Sequence, residues 1–408
     1  MIKPDEALRI VLGSLSPVGI ENIPTINSLG RVAAQNAVSK RDIPLRDSSD
    51  MDGYAVYHDD ITNVPSKLKV LGVIAAGDDV SGKRMKRGEC WRIMTGAYVP
   101  VEADTVIERE LTDDNMPALT VNKNKKKGDN IRPAKDDIAK GDIVSCDGEL
   151  ITPYLISRLI SIGVFHIDVY RKPRVAVIST GSEIASVSEY DVTEKMLDAN
   201  APAVMGILSE AGADTSYLGV VPDEEAQLID KLNSLRSYDM AVVSGGISAG
   251  DFDCMARISE KAGIKWYFQN VNQKPGKPVA FGALKTTSIN VPIFGLPGNP
   301  VSCMFCSFYY LIPAARRLQG MKDAEHRQIT AILGEGIDKK RGRIQFDRVK
   351  LKMADGVLYA YPFRTQNSNV IASMVESHGF MELADELEGK LKPGAPVKVF
   401  IFNRAGLF

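Results

Sequence analysis

Apolar residues at Ala7, Leu8, Val11, Leu12 and Leu15 recur at helical spacing and predict a first helix. From about Arg41 to Asp147 the pattern changes. Short β-branched runs (Leu68 to Ala76, Trp91 to Met94, Thr105 to Glu108) alternate with Gly, Pro, Asp and Lys clusters, which predicts a mostly β domain. A second helix is expected after Thr152, a suitable N-cap. Pro153 suits its first turn, Leu155, Ile156, Leu159 and Ile160 form one face, and Gly163 ends it. The two helices are expected to pack together, making the β domain an insertion between two halves of a helical platform.

From about Lys172 to Gln319 strands and helices alternate. Strands are predicted at Val175 to Ser179, Tyr217 to Val221, Met240 to Val243, Val279 to Phe281 and Ile293 to Gly295. Helices are predicted at Ala201 to Ala211, Asp223 to Leu235, Met255 to Ala262 and in a long stretch after Asn299. This alternation implies a doubly wound, mainly parallel α/β domain. The last segment returns to β: Val349, Leu351 and Met353 alternate, Asp355-Gly356 signals a turn, and Val397, Val399 and Ile401 alternate again. No internal repeat or low-complexity tract interrupts the chain.

The 408 residues suggest roughly two to four domains. With 44% hydrophobic and 25% charged residues, the chain has a globular composition. Lys+Arg 50 against Asp+Glu 51 argues against a nucleic-acid binder. No apolar run reaches the roughly 18 residues that span a bilayer, and the start lacks the apolar core of a signal peptide. The expected location is the cytoplasm. Five cysteines make no disulfide framework, and His58, His166, His326 and His378 show no metal-ligand spacing.

In an open α/β sheet, ligands bind beyond the carboxyl ends of the strands. Three such ends carry a glycine-bearing polar loop: Thr180-Gly181-Ser182-Glu183, Ser244-Gly245-Gly246-Ile247-Ser248, and Leu296-Pro297-Gly298-Asn299-Pro300. One such loop alone is an ordinary tight turn. Three on one rim point to a nucleotide or phosphate site. Lys274-Pro275-Gly276-Lys277-Pro278 adds two cations beside the sheet. Glu183, Asp223 and Asp253 follow β runs, and carboxylates beside phosphates normally act through Mg²⁺. Their bland readings are a first-turn carboxylate for Glu183 and a helix cap for Asp223.

Other motifs read as false. Gly246-Ile-Ser248-Ala-Gly250 fits a nucleophile elbow, but a Ser hydrolase using Ser248 would need His326 or His378 from outside the α/β domain. Gly77 to Lys83 nearly matches a P-loop, yet Arg84 replaces its Ser/Thr. Cys303 and Cys306 read as two buried thiols, and Asn122 to Lys127 as a solvated loop.

Eight short segments, in order, resemble one family. They are Ser49-Asp50-Met51-Asp52-Gly53-Tyr54-Ala55-Val56, Ile93-Met94-Thr95-Gly96-Ala97, Asp137-Ile138 before Gly141-Asp142, and Ser179 to Glu183. Then come Ser244 to Ser248, Gly250-Asp251-Phe252-Asp253, Lys274 to Pro278, and Gly295 to Ser302. The family resembled is the molybdopterin molybdotransferases, which comprise the bacterial molybdenum-insertion enzymes and the C-terminal domain of gephyrin.

The resemblance implies four parts: a helical platform (1–40 and 148–171), an inserted β-rich domain (41–147), an α/β domain binding the molybdopterin nucleotide (172–322) and a small C-terminal β-barrel (323–408). It implies a homodimer, with the site between the α/β domain of one chain and the inserted domain of the other. The implied reaction joins adenylylated molybdopterin and the co-substrate molybdate into molybdenum cofactor plus AMP. The adenylyltransferase that makes the substrate is an implied partner.

By resemblance, Asp52, Glu183, Asp223 and Asp253 are catalytic, and Glu183 and Asp253 hold Mg²⁺. Thr95, Asp137, Thr180, Gly181, Ser182, Gly245, Gly246, Ser248, Lys274, Lys277, Pro297, Gly298, Asn299 and Pro300 bind substrate. Asp52, Thr95 and Asp137 come from the partner chain. Three departures stand out: Asp50 before Met-Asp-Gly-Tyr-Ala, Ala199 where a hydroxyl residue is common, and a loosely matching Thr365 to Asn369. The competing readings are a nucleotide-handling enzyme on the same α/β fold, such as the adenylyltransferase, and a gephyrin-like scaffold.

Overall fold

The computed structural model describes residues 1–186, 194–222, 224–246, 258–285 and 290–402. Helix α1 (Pro4–Gly13) forms where the spacing predicts it. Its buried residues Ala7, Leu8 and Val11 join the core that holds Leu311 and Ala314, on one face of the α/β sheet. Helix α2 (Pro153–Ser161) buries Leu155 and Leu159 in a separate core with Ala33, Ile138, Ile151 and Val169. The expected pairing of these helices is therefore corrected. Periodicity tells which face of a helix is apolar, and not which core receives it. The start signal of α2 is as expected: the Leu155 N–H donates to Thr152 Oγ1 at 3.2 Å.

An antiparallel ribbon, Ile20–Pro24 with His166–Tyr170, joins the chain on either side of the β-rich segment. That segment holds a five-stranded sheet ordered Thr105–Glu108, Gly53–Val56, Glu89–Ile93, Ser66–Ile74, Ala118–Val121. Small cores cover both of its faces, one around Tyr54 and Leu119 and one around Ile74 and Ile93.

The α/β portion contains β1 (Arg174–Thr180), α3 (Asn200–Glu210), β2 (Asp214–Val221), α4 (Glu225–Ser234), β3 (Met240–Ser244), β4 (Ile264–Gln269), β5 (Ala280–Lys285) and β6 (Asn290–Leu296). The sheet order is β2-β1-β3-β6-β5-β4. The first four strands run parallel, while β5 and β4 are antiparallel additions at one edge. Sequence reading passed over β4. Strand side chains alternate, so β1 sends Val175 and Val177 to the core shared with α1 and α3. It sends Ala176 and Ile178 to the core shared with α4. Winding reverses between β1 and β3, which makes a crevice at their carboxyl ends.

The long helix expected after Asn299 is interrupted. Helix α5 (Pro300–Cys306) widens into a π turn at Ser307–Leu311 and resumes as α6 (Ile312–Leu318). Pro313 lacks the N–H that an uninterrupted ladder would use.

At the C-terminal end, Ile344–Ala354, Val357–Pro362, Gln328–Leu333, Pro396–Ile401 and Gly379–Leu383 pair in that order, and the last pairs with the first. This closes a five-stranded barrel. Its tight turn has positive φ at Asp355 (49°) and Gly356 (75°), as a two-residue hairpin demands. A sixth piece, Gln273–Lys274, adds parallel to Ile344–Gln345 and ties the α/β portion to the barrel. The accessible surface is 20525 Å². One compact body of this mass would expose about 16,000 Å², so several smaller bodies share the chain. No helix among the described residues is long and apolar enough to cross a membrane.

Candidate active site

The carboxyl ends of β1, β3 and β6 open into one cavity of about 860 Å³. Ser179, Thr180, Gly181 and Glu183 line it from β1, and Ser244, Gly245 and Gly246 from β3. Pro297, Gly298, Asn299 and Pro300 line it from β6. Backbone bonds tie the β3 loop to β6 and the β1 loop to the end of β2. The Gly245 N–H donates to the Leu296 carbonyl at 3.0 Å, and Gly181 N–H to Val221 at 3.3 Å. Gly245 has φ +88°, and a Cβ there would lie 2.7 Å from the Thr180 carbonyl oxygen, so only glycine fits.

Asn200, at the start of α3, completes this lacing. Its Nδ2 donates to the Gly298 carbonyl at 2.8 Å and to Ser244 Oγ at 3.1 Å. A carbonyl must meet a donor, so the amide has one orientation. Its Oδ1 is then a buried acceptor with no partner. Ser179 Oγ and Thr180 Oγ1 are buried and unpartnered in the same lining. Such groups are rare in a finished interior, and here they gather in one cavity. The neighbouring Asp198 is engaged: it accepts from Tyr217 OH at 2.9 Å and from the Ala201 N–H at 3.1 Å.

Glu183 stands at the rim. A Cβ on Gly181 would lie 2.9 Å from both of its carboxylate oxygens, so the carboxylate folds over that backbone. Ser182 is exposed beside this lining and is not part of it. Asp223, Ser248 and Asp253 lie outside the described residues. The start of α5 offers fewer donors than its position suggests. Pro300 has none, and the Val301 N–H is taken by the Ser368 carbonyl at 3.1 Å.

Lys274 and Lys277 do not enter this cavity. They line a second one of about 630 Å³, with Asn270, Ser302, Arg343, Gln366, Asn367 and Ser368. Pro278 belongs to both walls, so the cavities adjoin. Three cations and no carboxylate appear among the described lining residues. Among the described residues, Glu183 and the two lysines thus line neighbouring chambers. Arg343, Gln366 and Asn367 come from the barrel segment and were not among the sequence candidates. Arg343 stands in a visible basic run, Lys339 to Arg343, but nothing in the sequence ties that run to Lys274. Ser368, whose segment departs from the family pattern, does reach this cavity.

Asp52, Thr95 and Asp137 line neither cavity. Asp52 Oδ1 accepts from the Thr95 N–H and from its hydroxyl, both at 2.8 Å. Those two bonds hold its carboxyl below the usual carboxylate range, with smaller help from Arg109 and Arg92. Asp137 is exposed, and so is the unusual Asp50.

A hydrolytic triad has no base among the described residues. His326 lies against Phe308 with Nε2 on that residue's carbonyl at 2.6 Å, and His378 Nδ1 accepts from the Leu351 N–H at 2.9 Å. Cys303 and Cys306 are buried thiols as expected, and burial pushes Cys303 up to about 12. The near P-loop follows the strand Ser66–Ile74 of the β-rich domain, but no helix follows it as a P-loop requires.

Three family models match the chain. Residues 2–163 match the MoeA N-terminal region (domain I and II), 176–317 a probable molybdopterin binding domain, and 330–402 the MoeA C-terminal region (domain IV). The chain is 32% identical to the molybdopterin molybdenumtransferase of Haemophilus influenzae over 99% of each chain. It is 30% identical to that of Staphylococcus epidermidis, over 98% of this chain and 95% of the relative. It superposes on the molybdopterin biosynthesis moeA protein from Pyrococcus horikoshii OT3 with a TM-score of 0.84. There the identity is 24%, with 98% of this chain and 100% of the other covered. A second Pyrococcus moeA structure gives 0.83 at 30% identity over 99% of each chain.

Proposed function

Because the chain belongs to the molybdopterin molybdenumtransferase family, a transferase family of molybdenum cofactor biosynthesis, we propose that it takes adenylylated molybdopterin and molybdate and releases AMP. The observation that carries this reading is the pair of adjoining chambers with different chemistry. The first has glycine-lined backbone and three unpartnered oxygens, which suit the hydrogen-bonding edge and phosphates of a pterin nucleotide. The second, lined by Lys274, Lys277 and Arg343, suits a small dianion such as molybdate. Pro278, in both walls, would bring the oxyanion beside the pterin without displacing the nucleotide.

Glu183 shares its cavity lining with two unpartnered hydroxyls, Thr180 Oγ1 and Ser179 Oγ, so the groups offered there are oxygens. That is the chemistry a hard divalent cation takes, so Mg²⁺ fits. Glu183 would hold it together with Asp253. When bound, Mg²⁺ supplies positive charge against the phosphates and the bridging oxygen of the anhydride. The chain's own residues orient the substrates: Asn200 keeps the Gly298 and Ser244 loops at fixed spacing, and the lysines retain the oxyanion.

Asp52, Thr95 and Asp137 then belong to the same reaction through a second copy of the chain. An apolar patch supports a homodimer. Ile26 and Tyr154 are 76% and 85% exposed, and Leu29 and Phe165 are exposed beside them. The segments that carry these residues are adjacent: the Thr25 N–H donates to the Phe165 carbonyl and Gly30 N–H to Ile151, each at 2.9 Å.

With Mg²⁺ and molybdate, the wild-type protein should release AMP from adenylylated molybdopterin. Glu183→Ala should slow this by more than about tenfold. Absence of AMP from wild type, with the substrate verified intact, would overturn the reading.

A further inference from the structure

Beneath the cationic loop lie Gln273, Cys306 and Tyr310, a buried network of side chains that line neither cavity. Gln273 is 0% exposed. Its Nε2 donates to the Gly276 carbonyl at 3.0 Å, and its Oε1 accepts from the Tyr310 hydroxyl at 2.5 Å. Gly276 takes the donor end of the amide and Tyr310 serves its acceptor end, so the two partners together fix its orientation. Cys306 fills the remaining side, with Sγ 3.6 Å from Gln273 Nε2 and 3.7 Å from the Gly276 carbonyl. A Cβ on Gly276, at φ +79°, would lie 2.5 Å from that sulfur. The loop is therefore seated on the helical segment with no slack.

The ends of the same loop are also pinned. The Val271 N–H donates to the Lys277 carbonyl at 2.9 Å and Asn270 N–H to Val279 at 3.0 Å. Gln273–Lys274 pairs with Ile344–Gln345 of the barrel. Lys274 and Lys277 flank the Gly276 carbonyl that Gln273 holds, and both face the second cavity. Tyr310 reaches Gln273 from the π turn, the one irregular stretch of that helical segment. Widened turns of this kind recur where a helix serves a site.

We infer that Tyr310, acting through Gln273, is a positioning residue for oxyanion binding: it fixes the loop that presents Lys274 and Lys277 to the second cavity. The inference rests on the reading of that cavity as the molybdate chamber. Without the Tyr310 hydroxyl, Gln273 Oε1 is a buried acceptor with no partner. Its amide can then turn, and the Gly276 carbonyl loses its fixed donor. The ammonium groups must then be ordered on binding, which weakens oxyanion affinity and leaves the first cavity as it was.

The test is steady-state AMP release with molybdate varied, on wild type, Lys277→Ala, Tyr310→Phe and Gln273→Met, alongside direct binding of AMP. Tyr310→Phe should raise the KM for molybdate about fivefold, the loss of one net hydrogen bond. It should leave kcat within about twofold and AMP affinity unchanged. A residue that only stabilised the fold would lower kcat and AMP binding together and leave that KM alone. If Lys277→Ala raises the molybdate KM while Tyr310→Phe and Gln273→Met do not, the positioning role is overturned and the chamber stands. If Lys277→Ala also leaves the KM unchanged, the chamber reading falls and takes this inference with it. Should Tyr310→Phe fail to fold, Gln273→Met, which keeps the bulk of the side chain, decides alone.

Discussion

Gly245 shows how one residue can be read correctly from sequence for a reason that only coordinates supply. The glycine-bearing loop marked a strand end, and strand–loop–helix punctuation was enough to find it. What demands glycine is a carbonyl from a different strand: Thr180 O would lie 2.7 Å from a Cβ, at φ +88°. Gly245→Ala should destabilise the protein by about 1–3 kcal/mol, the range for a side chain forced into left-handed backbone. It should also weaken AMP binding, because Gly245 and Leu296 hold two rim loops together. Denaturant unfolding beside AMP titration would check both. An alanine variant with wild-type stability and affinity would mean the loops tolerate displacement. Asn200 and Arg343 carried no such punctuation. Asn200 matters because it meets Gly298, 98 residues away, and Arg343 because the barrel brings it beside Lys274. A contact of that range has no local signature, so the rim glycines were legible and their cross-links were not.

At the scale of elements, period and caps located α1 to α4 and most of the described strands, and failed where packing chose between equal options; the helix expected at Met255 to Ala262 lies largely outside the described residues. Both α1 and α2 are amphipathic, and each lies on a different core. The long helix after Asn299 reads as one run because Val301 to Ala315 is almost continuously apolar, and its π turn falls just before Pro313, which lacks a backbone N–H. His326 is part of that irregularity. It stacks on Phe308 and donates from Nε2 to the Phe308 carbonyl. Burial pushes its pKa down to about 4 from 6.5, and Arg316 adds to this. The folded state thus binds a proton later than the unfolded chain. Stability from this group is complete above about pH 6.5 and is lost as pH falls toward 4. At pH 5 the loss should reach up to about 2 kcal/mol relative to pH 7. Urea unfolding of wild type and His326→Gln at the two pH values measures it. Gln keeps a donor and cannot titrate, so its stability should fall less between them. Equal slopes would assign the acid sensitivity elsewhere.

The whole molecule raises a question that no single chain answers: Asp52 and Thr95 are ordered around each other by two bonds, yet stand apart from both cavities. The Asp52 carboxylate is exposed and held in one geometry by Thr95, so it can be presented to a second protomer, and a twofold partner is the simplest way to bring it to the glycine rim. The exposed apolar patch at Ile26, Leu29, Tyr154 and Phe165 gives such a partner a surface, and it lies on the ribbon region that joins the inserted sheet to the α/β portion. If each site takes Glu183 from one chain and Asp52 from the other, then Asp52→Ala and Glu183→Ala protomers should complement. Each homodimer would be inactive. A heterodimer would carry both lesions in one site and none in the other. Equal mixing makes half the dimers mixed, so activity should recover to about a quarter of wild type after co-refolding. Sites built within one chain would leave every site in the mixture with a lesion, and activity would stay at the level of the separate variants. The same mixture with Tyr154→Asp added to both chains should lose the recovered activity if the patch is the surface that joins the two protomers.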